Sequence, residues 1–120
     1  MRFTFIHSAL FTLTWKLAGL EDEELRELEK FLIAQPDAGA VIPGSGGVRK
    51  MRFAPASMGM GRRGALRVCY SFFPGYGCIF LVVAYTKQRK ENLSQRELAG
   101  IKLITGELHR KLMQQRNENL

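Results

Sequence analysis

Between residues 38 and 90 the chain has no aspartate and no glutamate. All 11 acids lie outside that window: seven from Glu21 to Asp37, and four from Glu91 onward. The gap makes paired-carboxylate acid–base chemistry in a cleft unexpected, and it deprives a Ser-His-Asp arrangement of its third member there. Histidine is scarce too. His7 and His109 stand near opposite ends of the chain with no Cys/His cluster around them, so no metal or other cofactor is expected. Two cysteines do not make a disulfide framework, which points to a reducing cytoplasm. No apolar run approaches the ~18–20 residues of a transmembrane helix. The longest, Cys78 to Tyr85, has strand length, so no membrane partner is expected. The opening Met-Arg-Phe-Thr-Phe-Ile-His lacks the regions of a signal peptide. With 120 residues, no internal repeat and no composition break, residues 1–120 read as a single domain with a polar tail that frays from about Gln114.

What is present is positive charge. Lys plus Arg number 18, giving a net charge of +7 and a pI near 9.9. Nine of the 18 fall inside the acid-free window: Arg49, Lys50, Arg52, Arg62, Arg63, Arg67, Lys87, Arg89 and Lys90. Ordinary surface intersperses the two signs. Half of the chain's positive charge without local neutralisation predicts one basic face, with phosphate as its partner.

Residues 2–7 read as a strand and 8–18 as a short helix carrying Leu10, Phe11, Leu13, Trp15 and Leu17. Residues 20–35 read as a helix with acids in its first turn, a buried stripe of Leu25, Leu28, Phe31 and Leu32, and Pro36 as its stop. The glycine-rich stretch 37–47 fails the P-loop pattern, because Val48 and Arg49 follow Gly47, and it fails the dinucleotide fingerprint; it reads as a connector. Residues 48–54 make a strand with Met51 and Phe53 on one face, Lys50 and Arg52 on the other. Residues 55–65 form a basic loop. Residues 66–73 make a strand with Leu66, Val68, Tyr70 and Phe72 opposite Arg67, Cys69 and Ser71. Residues 78–86, apolar on both faces, read as a central strand. Ser94 and Glu97 form a capping box before a helix with Leu98, Ile101, Ile104 or Thr105, Leu108 and Leu112 inward. The order β-α-α-β-β-β-α predicts an α+β fold, an antiparallel sheet packed with helices.

Cys69 and Cys78 read as small core residues; His7 as packed or capping; His109 as a surface residue near a helix end. What remains for chemistry is the set of cations on strands. If the parities align across the sheet, Lys50, Arg52, Arg67, Tyr85 and Lys87 project into one groove. Such a groove suits an RNA backbone, whose 2′-hydroxyl is a built-in nucleophile. Arginine stabilises charge on the phosphorus, and a crowded Lys or Tyr of lowered pKa carries protons. The same groove equally suits binding without cutting.

The ordered stretches Val41-Ile-Pro-Gly-Ser-Gly-Gly-Val-Arg-Lys-Met-Arg, Gly59-Met-Gly-Arg-Arg-Gly-Ala-Leu-Arg-Val-Cys-Tyr, Phe80-Leu-Val-Val-Ala-Tyr-Thr-Lys and Leu93-Ser resemble the RelE/HigB-type toxins of bacterial type II toxin–antitoxin pairs, over roughly residues 20–100. The resemblance implies a small, metal-independent, cytoplasmic endoribonuclease, an mRNA interferase that cuts messenger in the ribosomal A site and arrests translation. Its partners would be mRNA, ribosomal RNA and a cognate antitoxin with a helix-turn-helix part, with operator DNA bound only through the antitoxin complex. By position, Lys50 and Arg52 would hold the RNA backbone and Arg67 would stabilise the scissile phosphate. Lys87 and Tyr85 would sit by the reacting groups, with Lys50 and Arg67 completing the catalytic set. Arg62 and Arg63 would guide RNA, and Arg49, Arg89 and Lys90 would add to the RNA-binding surface.

The chain departs from the branch pattern in having Arg62 where lysine is usual, which keeps the charge but loses a tunable proton. Leu93 stands where some relatives place a tyrosine, so Tyr85 becomes the candidate for proton removal. Two other readings stay open: a toxin of the same fold that acts by binding a protein target such as gyrase, and a non-catalytic nucleic-acid-binding module.

Overall fold

The computed structural model of the chain describes residues 2–56, 65–86 and 92–119. Strand β1 (Thr4–His7) leads into helix α1 (Ala9–Leu17) and helix α2 (Asp22–Ala34). Then come β2 (Ala40–Val41), β3 (Arg49–Phe53), β4 (Leu66–Phe73), β5 (Cys78–Thr86) and helix α3 (Gln95–Glu118). The strands form one five-stranded sheet in the order β1-β5-β4-β3-β2. The α+β class follows as expected. Two details differ from the sequence reading. β1 runs parallel to β5 while the other pairs are antiparallel, and the glycine-rich connector contains β2, a short edge strand on β3.

Helices cover both faces. On one, Leu28 and Leu32 of α2 and Phe11 and Trp15 of α1 meet Met51, Phe53, Leu66, Val68, Tyr70, Ile79 and Leu81. On the other, Ile101 of α3 packs on Val48, Cys69, Phe80, Val82, Val83 and Tyr85. β5, covered on both faces and paired on both edges, is almost wholly buried, which is why its sequence lacks alternation. Phe31 is 37% exposed, at the rim of the α2 stripe rather than in it. In α3 it is Thr105 that turns inward and Ile104 that turns out. That helix also continues through the expected frayed tail, to Glu118.

Side chains close the ends of these elements. Ser8 caps α1, its hydroxyl accepting from Phe11 N at 2.9 Å and donating to Val82 O at 2.6 Å. Thr14 Oγ1 accepts from Ala84 N at 3.1 Å. Together they satisfy the edge of β5 beyond the end of β1. The hairpin from β2 to β3 is held by the buried Ser45, whose hydroxyl donates to Ile42 O at 2.6 Å and accepts from Val48 N at 3.0 Å. Gly46 and Gly47 complete that turn at φ +77° and +96°, a region where a side chain is strained.

The α2–β2 corner is pinned from the sheet. Tyr70 Oη donates to Pro36 O and accepts from Gly39 N, both at 2.9 Å. A Cβ on Gly39 would stand 3.0 Å from the Tyr70 ring, a crowded contact that a glycine avoids. Replacing Tyr70 with phenylalanine removes both bonds from buried partners. The expected loss is about 1–3 kcal/mol, read as a lower urea midpoint at unchanged m-value; an unaltered midpoint would show that water replaces the hydroxyl without cost.

Candidate functional site

The register of the sheet decides which cations meet. Arg52 lies directly opposite Arg67 across β3 and β4, and Arg67 lies opposite Tyr85 across β4 and β5. One step along, Lys50 lies opposite Cys69, and Cys69 opposite Val83. All point to the face that α3 half covers.

Tyr85 reaches this face through a bulge. Strict alternation along β5 from Ile79 and Leu81 would send Val83 and Tyr85 to the α1/α2 side. The register slips between Cys69 and Tyr70 of β4, which pair with Val83 and Leu81 and leave Val82 without an opposite number. The extra residue reverses the parity. Val83 and Tyr85 join the α3 side, and Ala84 takes the other.

Arg67 is the most unusual residue of the group. It is 5% exposed, and its guanidinium donates to Ala65 O at 2.9 Å. Among the described residues the one ion pair is His7 with Glu29, at 3.7 Å, so no described carboxylate neutralises Arg67. Facing Arg52, it also forms a like-charge cross-strand pair, which is destabilising. A buried cation that no described carboxylate pairs with is costly.

Tyr85 is buried beside it, and among the described residues its hydroxyl has no hydrogen-bond partner of good geometry; the weakly polar Cys69 thiol lies near it. Burial above all pushes the phenol up to about 12. The Cys69 side chain and the Glu97 charge act in the same direction, and Arg67 opposes them. The expectation of a lowered tyrosine pKa is therefore corrected: burial makes Tyr85 hold its proton more tightly than a tyrosine in water. Burial also pushes the Cys69 thiol up to about 12 against the charge of Lys50, which leaves it an inert thiol as the sequence implied.

Lys50 is half-buried and donates to Asn92 Oδ1 at 3.2 Å, tying the site to the segment before α3. Arg52 is exposed. Arg49, expected among the RNA-binding residues, alternates to the other face. Its guanidinium donates to Gly39 O at 2.7 Å and Asp37 O at 3.2 Å, which makes it a brace for the α2–β2 corner. Lys87, Arg62, Arg63, Arg89 and Lys90 lie outside the described residues.

Glu97 is the residue that sequence reasoning missed. It accepts from Ser94 N at 2.8 Å as the capping box requires, and its charge also reaches Tyr85. A carboxylate from beyond the acid-free window thus returns to the cationic face, and no local signal announces it. Next to Tyr85 and Glu97 opens an apolar cavity of about 390 Å³ between α1 and α3, lined by Leu10, Leu17, Val83, Ile101 and Ile104. The two histidines are elsewhere: His7 by Glu29 and the Phe11 ring, His109 stacked on Phe73 well inside α3, away from the helix end where a dipole partner was expected.

Because the folded protein holds protons on Tyr85 and Cys69 above their ordinary pKa values, the unfolded chain binds fewer protons at high pH. Stability is full below about pH 9 and falls as pH rises toward 12. The ultraviolet phenolate difference between wild type and Tyr85→Phe should titrate near pH 12. A midpoint at the ordinary tyrosine value would refute the burial of this phenol. No family model matches the chain.

Proposed function

We propose that the protein is the toxin of a type II toxin–antitoxin pair, a metal-independent endoribonuclease that cuts messenger RNA on the ribosome. The observation that carries this reading is the buried Arg67, without a described carboxylate partner, set between Arg52 and Tyr85 on a face that also presents Lys50. A phosphodiester supplies the missing anion. Its ribose supplies the nucleophile: the 2′-oxygen attacks phosphorus, the bond to the 5′-oxygen breaks, and a cyclic phosphate and a 5′-hydroxyl result.

Arg67 stabilises the charge that builds on the phosphoryl oxygens, in a site where burial strengthens the interaction. Lys50 and Arg52 hold the backbone on either side. Tyr85, protonated at neutral pH, donates to the departing 5′-oxygen. The 2′-proton goes to another group, and Glu97 is the described carboxylate whose charge acts in this neighbourhood. Leu10 and Leu17 of α1 and Ile104 of α3, exposed large apolar side chains around the cavity beside Tyr85, support a protein partner such as an antitoxin against this side of the molecule.

The test is to map new 5′-ends on a messenger in a reconstituted translation reaction, with and without ribosomes. Wild type should cut only with ribosomes. Arg67→Ala should lower the rate by about 10²–10³-fold, the loss typical of one transition-state donor, and Arg67→Lys should not restore it. Cuts on free RNA would replace the ribosome-dependent reading with a general ribonuclease. Arrested translation without cuts would favour a binder of a protein or RNA target.

A further inference from the structure

On the side of α3 turned away from the apolar cavity, a second hollow of about 420 Å³ lies between that helix and the hairpin turn after β2. Its walls are Gly46 of the turn, Phe73 of β4, and Lys102, Thr105, His109 and Arg110 of α3. Thr105 is 3% exposed, and its hydroxyl has no hydrogen-bond partner among the described residues. A buried hydroxyl left unpaired costs free energy unless something else bonds to it. Neither Lys102 nor Arg110 has an acidic partner among the described residues. The Lys102 stem runs over Gly46, where a Cβ would come within 3.4 Å of it, and the Arg110 guanidinium folds back over Gly106. The amide of Gly46 donates no hydrogen bond to any described residue. Two cations, a buried hydroxyl and the Gly46 turn meet around one hollow, whose remaining wall, with Ala99 and Leu103, is apolar; the cations suit a phosphate group.

We propose that this hollow is a second phosphate subsite, which holds the RNA backbone away from the scissile bond. The inference rests on the RNA reading above. The subsite lies along the same helix that carries Glu97 to Tyr85, and it opens beside the turn that leads into β3 with Lys50 and Arg52. Lys102 and Arg110 are eight residues apart, about 12 Å along the helix, so together they extend the cationic track of the sheet in one direction. The site ranks RNA by backbone, not base, because none of its groups is set to read a base edge.

The experiment uses full-length Arg67→Ala protein, which keeps substrate intact, and a short oligoribonucleotide. The reporter is the His109 imidazole, which lines the hollow and is fixed against Phe73 by stacking. Oligoribonucleotide should shift the His109 ring resonances saturably. Lys102→Gln with Arg110→Gln should abolish that shift and reduce the salt dependence of binding by roughly 0.7 in log–log slope, the loss of one single-strand phosphate contact. Thr105→Val keeps the shape and should weaken the response. Thr105→Ser should retain it, which separates the hydroxyl from a packing effect.

An unchanged slope in the double variant overturns the proposal. So does a His109 response to inorganic phosphate but not to RNA. If messenger cutting is absent from the translation assay while RNA still shifts His109, the nuclease reading falls and the subsite stands. If messenger is cut while RNA leaves His109 unmoved, the subsite falls and the nuclease reading stands.

Discussion

The antiparallel pairing of β4 with β5 decides what every other part of the molecule faces. It joins the two most buried strands and carries one irregularity, the unmatched Val82 opposite the Cys69–Tyr70 step. On the β1 side of that bulge, Ile79 and Leu81 serve the core under α1 and α2. Past it, Val83 and Tyr85 serve the core under α3. A strand with a strict period of two cannot do both. The bulge lets one continuous apolar strand fill two cores and still deliver a phenol beside Arg67.

The cationic face is held against its own electrostatics. Arg52 opposite Arg67 is an unfavourable pair, and Arg67 is buried besides. The surrounding structure tolerates this because apolar burial elsewhere is ample. Leu28, Leu32, Val68, Ile79, Leu81 and Val82 are fully buried, and the corner near Tyr70 and Arg49 is closed by four hydrogen bonds to backbone groups.

Arg49 and Glu97 show where local pattern misleads. Arg49 belongs to the same charge run as Lys50 and Arg52, yet alternation alone separates it from Lys50, and its guanidinium is spent on the carbonyls of Asp37 and Gly39. That separation was readable. The role of Glu97 was not, because its local duty as a helix cap explains it completely. Only the packing of α3 on the sheet brings its charge to Tyr85. Phe31 errs in a similar way, and periodicity left Ile104 and Thr105 as alternatives that packing resolved for Thr105: it marks a face of a helix, while the width of the buried stripe depends on what it packs against.

Short-range physics determined the elements. Alternation in β3 and β4, the continuous apolar run of β5, the capping box at Ser94, the acids of the first turn of α2 and the clustering of cations in an acid-free stretch all act within a few residues, and a chain shows them without its fold. Tertiary structure decided the rest. It made β1 parallel to β5, placed the bulge opposite Cys69, buried Arg67, and pushed the Tyr85 phenol up to about 12. Each of these depends on residues far apart in sequence. Register is a relation between strands, and burial is set by what lands on top, so neither is written in any one segment.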